Sequence, residues 1–123
     1  MNREEVMAMT DNELDVNAAI LMGWKPGYHR GEPCWMQPDY DVPVDSVPYY
    51  TSNIADAWEL MGPMMQRIST LQMMTIDGNS LSICGWIFDE DGVTVGVLEA
   101  IHDDTAPRAI TRAFILAMST KSI

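Results

Sequence analysis

Apolar residues recur along this chain with two different periods, and the change from one to the other predicts the order of its elements. Near the N-terminus Asn2 precedes Glu5 by three residues, and Thr10 precedes Glu13 by three. Both are capping-box spacings, in which each side chain satisfies a backbone N–H that a helix start leaves unpaired. They predict a short helix near residues 3–9 and a fuller one near 11–22, closed by Gly23 in a left-handed conformation. Farther on, Ile54, Ala57, Trp58, Met61, Met65 and Ile68 fall on one helical stripe. Ser52 or Asn53 can cap that helix. Pro63 has no N–H to give residue 59, so a kink is expected there.

After residue 70 the period drops to two. LQMMTI ends at Asp77-Gly78, SLSICGWIF ends at Asp89-Glu90-Asp91-Gly92, and VTVGVLEAI follows. Asp-Gly between such runs marks a hairpin, because its turn needs positive φ. In the middle run Leu81, Ile83, Gly85 and Ile87 point one way, and Ser82, Cys84, Trp86 and Phe88 the other. The second face mixes polar residues with two aromatics, so it is neither plain solvent nor plain core. A last helix is predicted from about Thr105 to Met118, with Thr105 as N-cap and Pro107 in the first turn. Ala106, Ala109, Ile110, Ala113, Phe114, Ala117 and Met118 form its buried stripe, with Arg108, Arg112 and Ile115 on a neighbouring one. Between the N-terminal helices and residue 54, KPGYHRGEPCWMQPDYDVPVDSVPYY carries Pro26, Pro33, Pro38, Pro43 and Pro48. Proline removes donors and disfavours helix before it. A long ordered loop is expected, with one short edge strand around Cys34–Gln37, pinned by Trp35, Tyr40, Tyr49 and Tyr50. The pattern is α+β: a small antiparallel sheet of about three to four strands sandwiched by helices, in a single domain over residues 1–123.

Composition narrows the function. A 47% hydrophobic content with four Trp argues for a packed core, and eleven Met suit irregular gaps within it. The net charge of −11 repels phosphate at long range, which argues against DNA or RNA polymers and anionic membranes. A small anion would need a local pocket of its own. The same charge keeps open an acidic protein that inhibits a host protein by direct binding or by imitating DNA. The acids are scattered, however, with no run of consecutive carboxylates. Cys34 and Cys84 lack CxxC spacing and are expected to be reduced and structural. No apolar stretch approaches the ~20 residues a membrane span needs, and MNREEVMAM is charged from its third residue, so a cytoplasmic location is expected.

Catalytic signals are few. His29 sits in the proline-rich stretch, where a solvated side chain is the ordinary outcome. His102-Asp103-Asp104 could form a base with its orienting partner, or part of a metal site, but no nucleophile motif or phosphate loop accompanies it. The plainer role of Asp103 and Asp104 is negative charge at a helix start. No enzyme, cofactor or metal is expected. Arg108 and Arg112 are a stronger signal, because residues one turn apart share a helix face. Two guanidinium forks there suit a phosphate or a pyrophosphate. The competing explanation is equally concrete: Asp104 and Arg108 are themselves an i, i+4 ion pair. Trp86 and Phe88 could supply a ring for a base to stack on.

Two segments, VPYYTSNIADAWEL at 47–60 and DTAPRAITRAFILA at 104–117, resemble the phage ABA-sandwich domain family. In that family a Pro-Tyr-Ser/Thr segment leads into an Ile-x-x-Ala-Trp-Glu helix, and an Ala-Pro-x-Ala-Ile-x-Arg-Ala helix closes the domain. REEVMAM…ELD…MGW is also similar, and the proline-rich stretch and hairpin strands match least. One branch of the family contains the Thoeris anti-defence sponges, phage proteins that hide a cyclised ADP-ribose signal made by a bacterial TIR-domain enzyme without cleaving it. Some members also hold cyclic oligonucleotides. The resemblance implies a homo-oligomer, a dimer or multiple of dimers, in the cytoplasm of an infected bacterium. It implies a pocket between subunits, with Arg108 and Arg112 on phosphate. Many relatives keep only the second arginine, so Arg108 turns the resemblance toward the sponges. The stacking aromatic is expected at Trp86, with Phe88 second, and Thr105 at the helix mouth is a further candidate.

Overall fold

The computed structural model describes residues 2–39, 42–68, 72–76, 80–103 and 105–119, with the backbone alone for 72–76 and Ser80. The Asp77-Gly78 turn, Tyr40 and Asp104 lie outside the described residues.

Both predicted helix starts are present. Asn2 caps α1 (Arg3–Ala8) by accepting from the Glu5 N–H at 2.8 Å. Thr10 and Glu13 form a full reciprocal box at the head of α2 (Asp11–Leu21). Gly23 follows α2 with φ 100°, a conformation that favours glycine.

The proline-rich stretch departs from expectation. It holds a hairpin, β1 (Lys25–His29) and β2 (Glu32–Met36), with a short β3 (Pro43–Val44) added to it. Arg30 and Gly31 connect the hairpin with φ 53° and 82°, the pair of positive values a two-residue primed turn requires. The prolines fit because Pro26 is on an edge strand, and β3 pairs only with Trp35 and Met36, leaving Pro33 beyond its reach. Trp35 packs against the core and Tyr50 is buried, whereas the Tyr49 side chain is exposed and Tyr49 is held by its backbone N–H on Asp56 Oδ2 at 3.0 Å.

The stripe from Ile54 also resolves differently. Instead of one kinked helix there are two, α3 (Ile54–Trp58) and α4 (Met61–Arg67), broken at Glu59 and Leu60. Pro63 withdraws the N–H that would have continued the ladder to Glu59. The break re-phases burial: Ala57, Leu60, Met61, Met64 and Ile68 turn inward, and Ile54, Trp58 and Met65 turn out.

The three predicted strands form the second sheet, in order β4 (Gln72–Ile76), β5 (Ser80–Phe88), β6 (Thr94–Asp103), all antiparallel. Leu81, Ile83, Ile87, Leu98 and Ile101 face inward. Register shifts beside Gly85 and Phe88 put bulges in β6, at Glu99-Ala100 and Val95. Onto the inner face packs α5 (Ala106–Ser119), which also touches α1, α2, α3 and α4. Enclosure from both sides buries more than one stripe of α5: Thr111, Ile115 and Leu116 join Ala109, Ile110, Ala113, Phe114 and Ala117, while Ala106 and Met118 near its ends are half-buried. The Thr111 hydroxyl answers its burial by donating to the Pro107 carbonyl at 2.8 Å. The architecture is α+β with α5 at its centre. Among the described residues no helix is long and apolar enough to cross a membrane.

Candidate functional site

Alternation along β6 places Ile101 inward, His102 outward and Asp103 inward again, so the strand ends by delivering a carboxylate into the core. At the head of α5 the Ala109 N–H donates to the Thr105 carbonyl. Arg108 and Arg112 stand one turn apart on the face of α5 beside Asp103 and α2, as their spacing predicted.

A buried carboxylate there must have partners, and Asp103 has three among the described residues. It accepts the Thr105 N–H at 3.2 Å and Arg108 Nη1 at 3.2 Å on Oδ1, and Arg112 Nη1 on Oδ2. Its side chain is 4% exposed and that of Arg112 is 15% exposed. Asp103 is thus wedged between the two guanidiniums and neutralises one of them.

Arg108 turns its other edge outward. Its Nε and Nη2 donate to the two oxygens of Asp11, at 2.8 and 3.0 Å, in a two-point fork. Asp11, the first residue of α2, is half exposed, with 51% of its side chain accessible. Hydrogen bonding from Arg108 holds the Asp11 carboxyl below the usual carboxylate range, and Asp11 in turn raises the Arg108 guanidinium above its ordinary value. One turn along α2, Asp15 is buried and accepts the Thr51 N–H at 2.8 Å. Burial pushes its carboxyl up, and the nearby charges of Asp11 and Asp56 push the same way. Two buried polar atoms at the cluster, Thr105 Oγ1 and Arg112 Nε, have no hydrogen-bond partner among the described residues.

The predicted site residues are brought together only in part. Arg108, Arg112 and Thr105 share the Asp103 network. Trp86 does not join them. Leu81 is opposite Asp103, and Trp86 lies five residues farther along β5, about 17 Å away, on the outer face. There it is 53% exposed beside its cross-strand partner Val97, at 54%. Phe88 is farther still, at the hairpin end opposite Thr94, and half-buried. Within one chain neither ring can meet a ligand held by Arg108.

The His102-Asp103 dyad does not form, since the pleat sends the two side chains to opposite faces. His29 is exposed on β1. Among the described residues no cluster of His, Cys, Asp and Glu could hold a metal ion. No disulfide joins Cys34 and Cys84. Half-open cavities of about 340, 310 and 410 Å³ lie between α1 and β6 and around the β1–β2 hairpin, and neither arginine lines any of them.

Sequence reasoning missed the roles of Asp11 and Asp103. The in-out-in phase of Ile101, His102 and Asp103 carried a signal for the second, since a buried carboxylate implies a nearby cation. Asp11, 97 residues from Arg108, carried none. In comparisons with known proteins the chain matches no family model, no curated protein and no solved structure.

Proposed function

We propose that this chain is a phage anti-defence sponge that binds and sequesters a cyclic ADP-ribose-type signal without cleaving it, with cyclic oligonucleotides as further candidate guests. What supports the reading is the outward Nε–Nη2 edge of Arg108; within the chain that edge is already satisfied by half-exposed Asp11 at 2.8 and 3.0 Å, so a phosphate has to displace this carboxylate. Two parallel N–H groups on two oxygens is the geometry by which a guanidinium grips phosphate. Around a chain of net charge −11 this is a local exception that a small anion can use where a nucleic-acid polymer is repelled.

The same geometry revises how a guest would be held. Because Asp103 engages both guanidiniums, the pair offers one outward fork rather than a clamp around two phosphates. A ring stacking on the base must come from another subunit, since Trp86 faces away from Arg108. The reading therefore requires a homo-oligomer. Its direct test is uptake: protein mixed with a TIR-generated cyclic ADP-ribose isomer, separated, then heat-denatured, should return intact signal to the supernatant. Arg108→Ala should abolish uptake, light scattering should give an assembly larger than one chain, and cleaved product in the supernatant would replace a sponge with a hydrolase.

A second reading has its own observation. Ile54 and Trp58 on α3 and Met65 on α4 are 52%, 57% and 59% exposed, outward apolar side chains on an acidic protein. That surface suits an inhibitor that docks on a host protein. This reading expects Arg108→Ala to leave inhibition intact and Trp58→Ala or changes to surface acids to abolish it.

A further inference from the structure

We infer that Asp11 is an internal stand-in for the guest's phosphate, occupying the single anion seat on Arg108 until a phosphoryl group displaces it. The inference takes the nature of the guest from the proposed function, but the seat itself rests on the geometry of the chain.

Three features separate Asp11 from Asp103. The first is access: the Asp11 side chain is 51% exposed and Asp103 only 4%. Releasing Asp11 returns a carboxylate to water, whereas releasing Asp103 would strand a charge in the core. The second is freedom to move. The start of α2 is held by Thr10 Oγ1, which accepts the Glu13 N–H at 3.2 Å, and by Glu13 Oε1, which accepts the Thr10 N–H at 3.1 Å. Asp11 can therefore rotate away while the helix stays capped. The third is charge. Two guanidiniums and two carboxylates sum to zero with Asp11 seated. Among these four described side chains, removing Asp11 leaves one net positive charge, beside the buried Asp15 one turn along α2, so the seat suits a single phosphoryl group and not a pyrophosphate gripped at both ends. Departure also relieves the repulsion between Asp11 and buried Asp15.

An occupied seat sets a threshold. A free anion must outcompete a carboxylate that is already tethered beside the fork. Only a guest with further contacts elsewhere gains enough to do so. The chemical class is a phosphate ester presenting two oxygens to the Nε–Nη2 edge of Arg108.

The test compares wild type with Asp11→Asn, which keeps the shape of the residue and removes its charge. Calorimetry with inorganic phosphate and with ADP-ribose at fixed ionic strength should show Asp11→Asn binding each on the order of tenfold more tightly than wild type. Adding Arg108→Ala should cancel the gain. The Nε–H resonance of Arg108 in 15N-arginine-labelled protein should shift on adding phosphate to Asp11→Asn, which reports on the seat even where affinities are low. Equal affinities in the two proteins, or a gain that survives Arg108→Ala, overturns the inference. If wild type takes up the cyclic signal while Asp11→Asn changes nothing, the seat falls and the sponge stands. If wild type takes up no signal but Asp11→Asn gains phosphate through Arg108, the seat stands without the sponge.

Discussion

Asp103→Ala is the substitution whose cost the structure specifies most closely. It deletes the acceptor of the Thr105 N–H, Arg108 Nη1 and Arg112 Nη1 at once. Arg108 keeps Asp11 and loses little. Arg112, 15% exposed, keeps no carboxylate among the described residues. Removing one partner of a buried ion pair costs about 3–5 kcal/mol, most of it the penalty of the charge left behind. A domain of this size has roughly 5–15 kcal/mol in total, so the loss is a large share. With an m-value near 2 kcal/mol/M, the urea midpoint should fall by roughly 2 M at unchanged m. Asp11→Ala is the control and should cost about 1 kcal/mol or less, because its partner is half in water. The decisive variant is Asp103→Ala with Arg112→Leu. If a stranded cation causes the loss, removing that cation returns stability even though a second side chain has been altered. A stranded Arg112 cation is ruled out as the cause if Asp103→Ala lies within about 1 kcal/mol of wild type, or if the double variant is no more stable than Asp103→Ala alone.

Three further outcomes follow from the same contacts. Asp15 is buried and its carboxyl is raised, so the folded state favours its protonated form; the penalty for ionising it appears as pH rises through the folded pKa and is absent below about 4. Asp15→Asn should therefore raise the urea midpoint at pH 7, with the gain shrinking toward pH 4, and a pH-independent difference would contradict the assignment. Thr10→Ala removes the Oγ1 that caps α2 and should cost about 1 kcal/mol in chemical denaturation, whereas no loss would mean the box is not formed in solution. Trp86→Ser should change stability by less than about 0.5 kcal/mol, because the ring is 53% exposed, while abolishing signal uptake in the assembled protein. A collapse of the urea midpoint would place Trp86 in a core instead.

Elements set by local rules were legible in the chain, and those set by distant partners were not. Thr10 and Glu13 announce α2 because a capping box is complete within four residues. The β5 alternation was readable because pleating assigns faces with no knowledge of the partner strand. The hairpin at Lys25–Met36 was missed because Pro26 and Pro33 argue against strands everywhere except at edges and strand ends, and the sequence does not say where the edge is. Its turn did leave a trace, since Gly31 supplies one of the two positive φ values. At the site, the helical spacing of Arg108 and Arg112 was visible, but each arginine's anion was not. Asp104, the neighbour that spacing suggested, lies outside the described residues, and the partners the structure does reveal come from the end of β6 and the start of α2.

What arginine does elsewhere in this chain sharpens the meaning of Arg108. Arg3 donates to the Glu99 and Ala100 carbonyls at 3.1 and 2.7 Å, answering the bulge of β6 with a strap from α1. Arg67 donates from α4 to the Phe88 carbonyl at 2.6 Å, at the far end of β5. Arg112 ties α5 to Asp103. Each spans two elements, and a cation is efficient at this because its several donors reach acceptors that regular hydrogen bonding leaves over. An arginine pair in an acidic chain is thus explained by strapping before any ligand is invoked, and Arg112 fits that explanation through its Nη1 on the buried Asp103 carboxylate. Arg108 exceeds it. Its contact with Asp103 joins α5 to β6, and its two-point fork joins α5 to α2 through a carboxylate that is half in water. A strap gains nothing from an exchangeable partner, whereas an anion seat needs one, so the two roles are told apart by whether removing the Asp11 charge leaves the fold intact and opens Arg108 to phosphate.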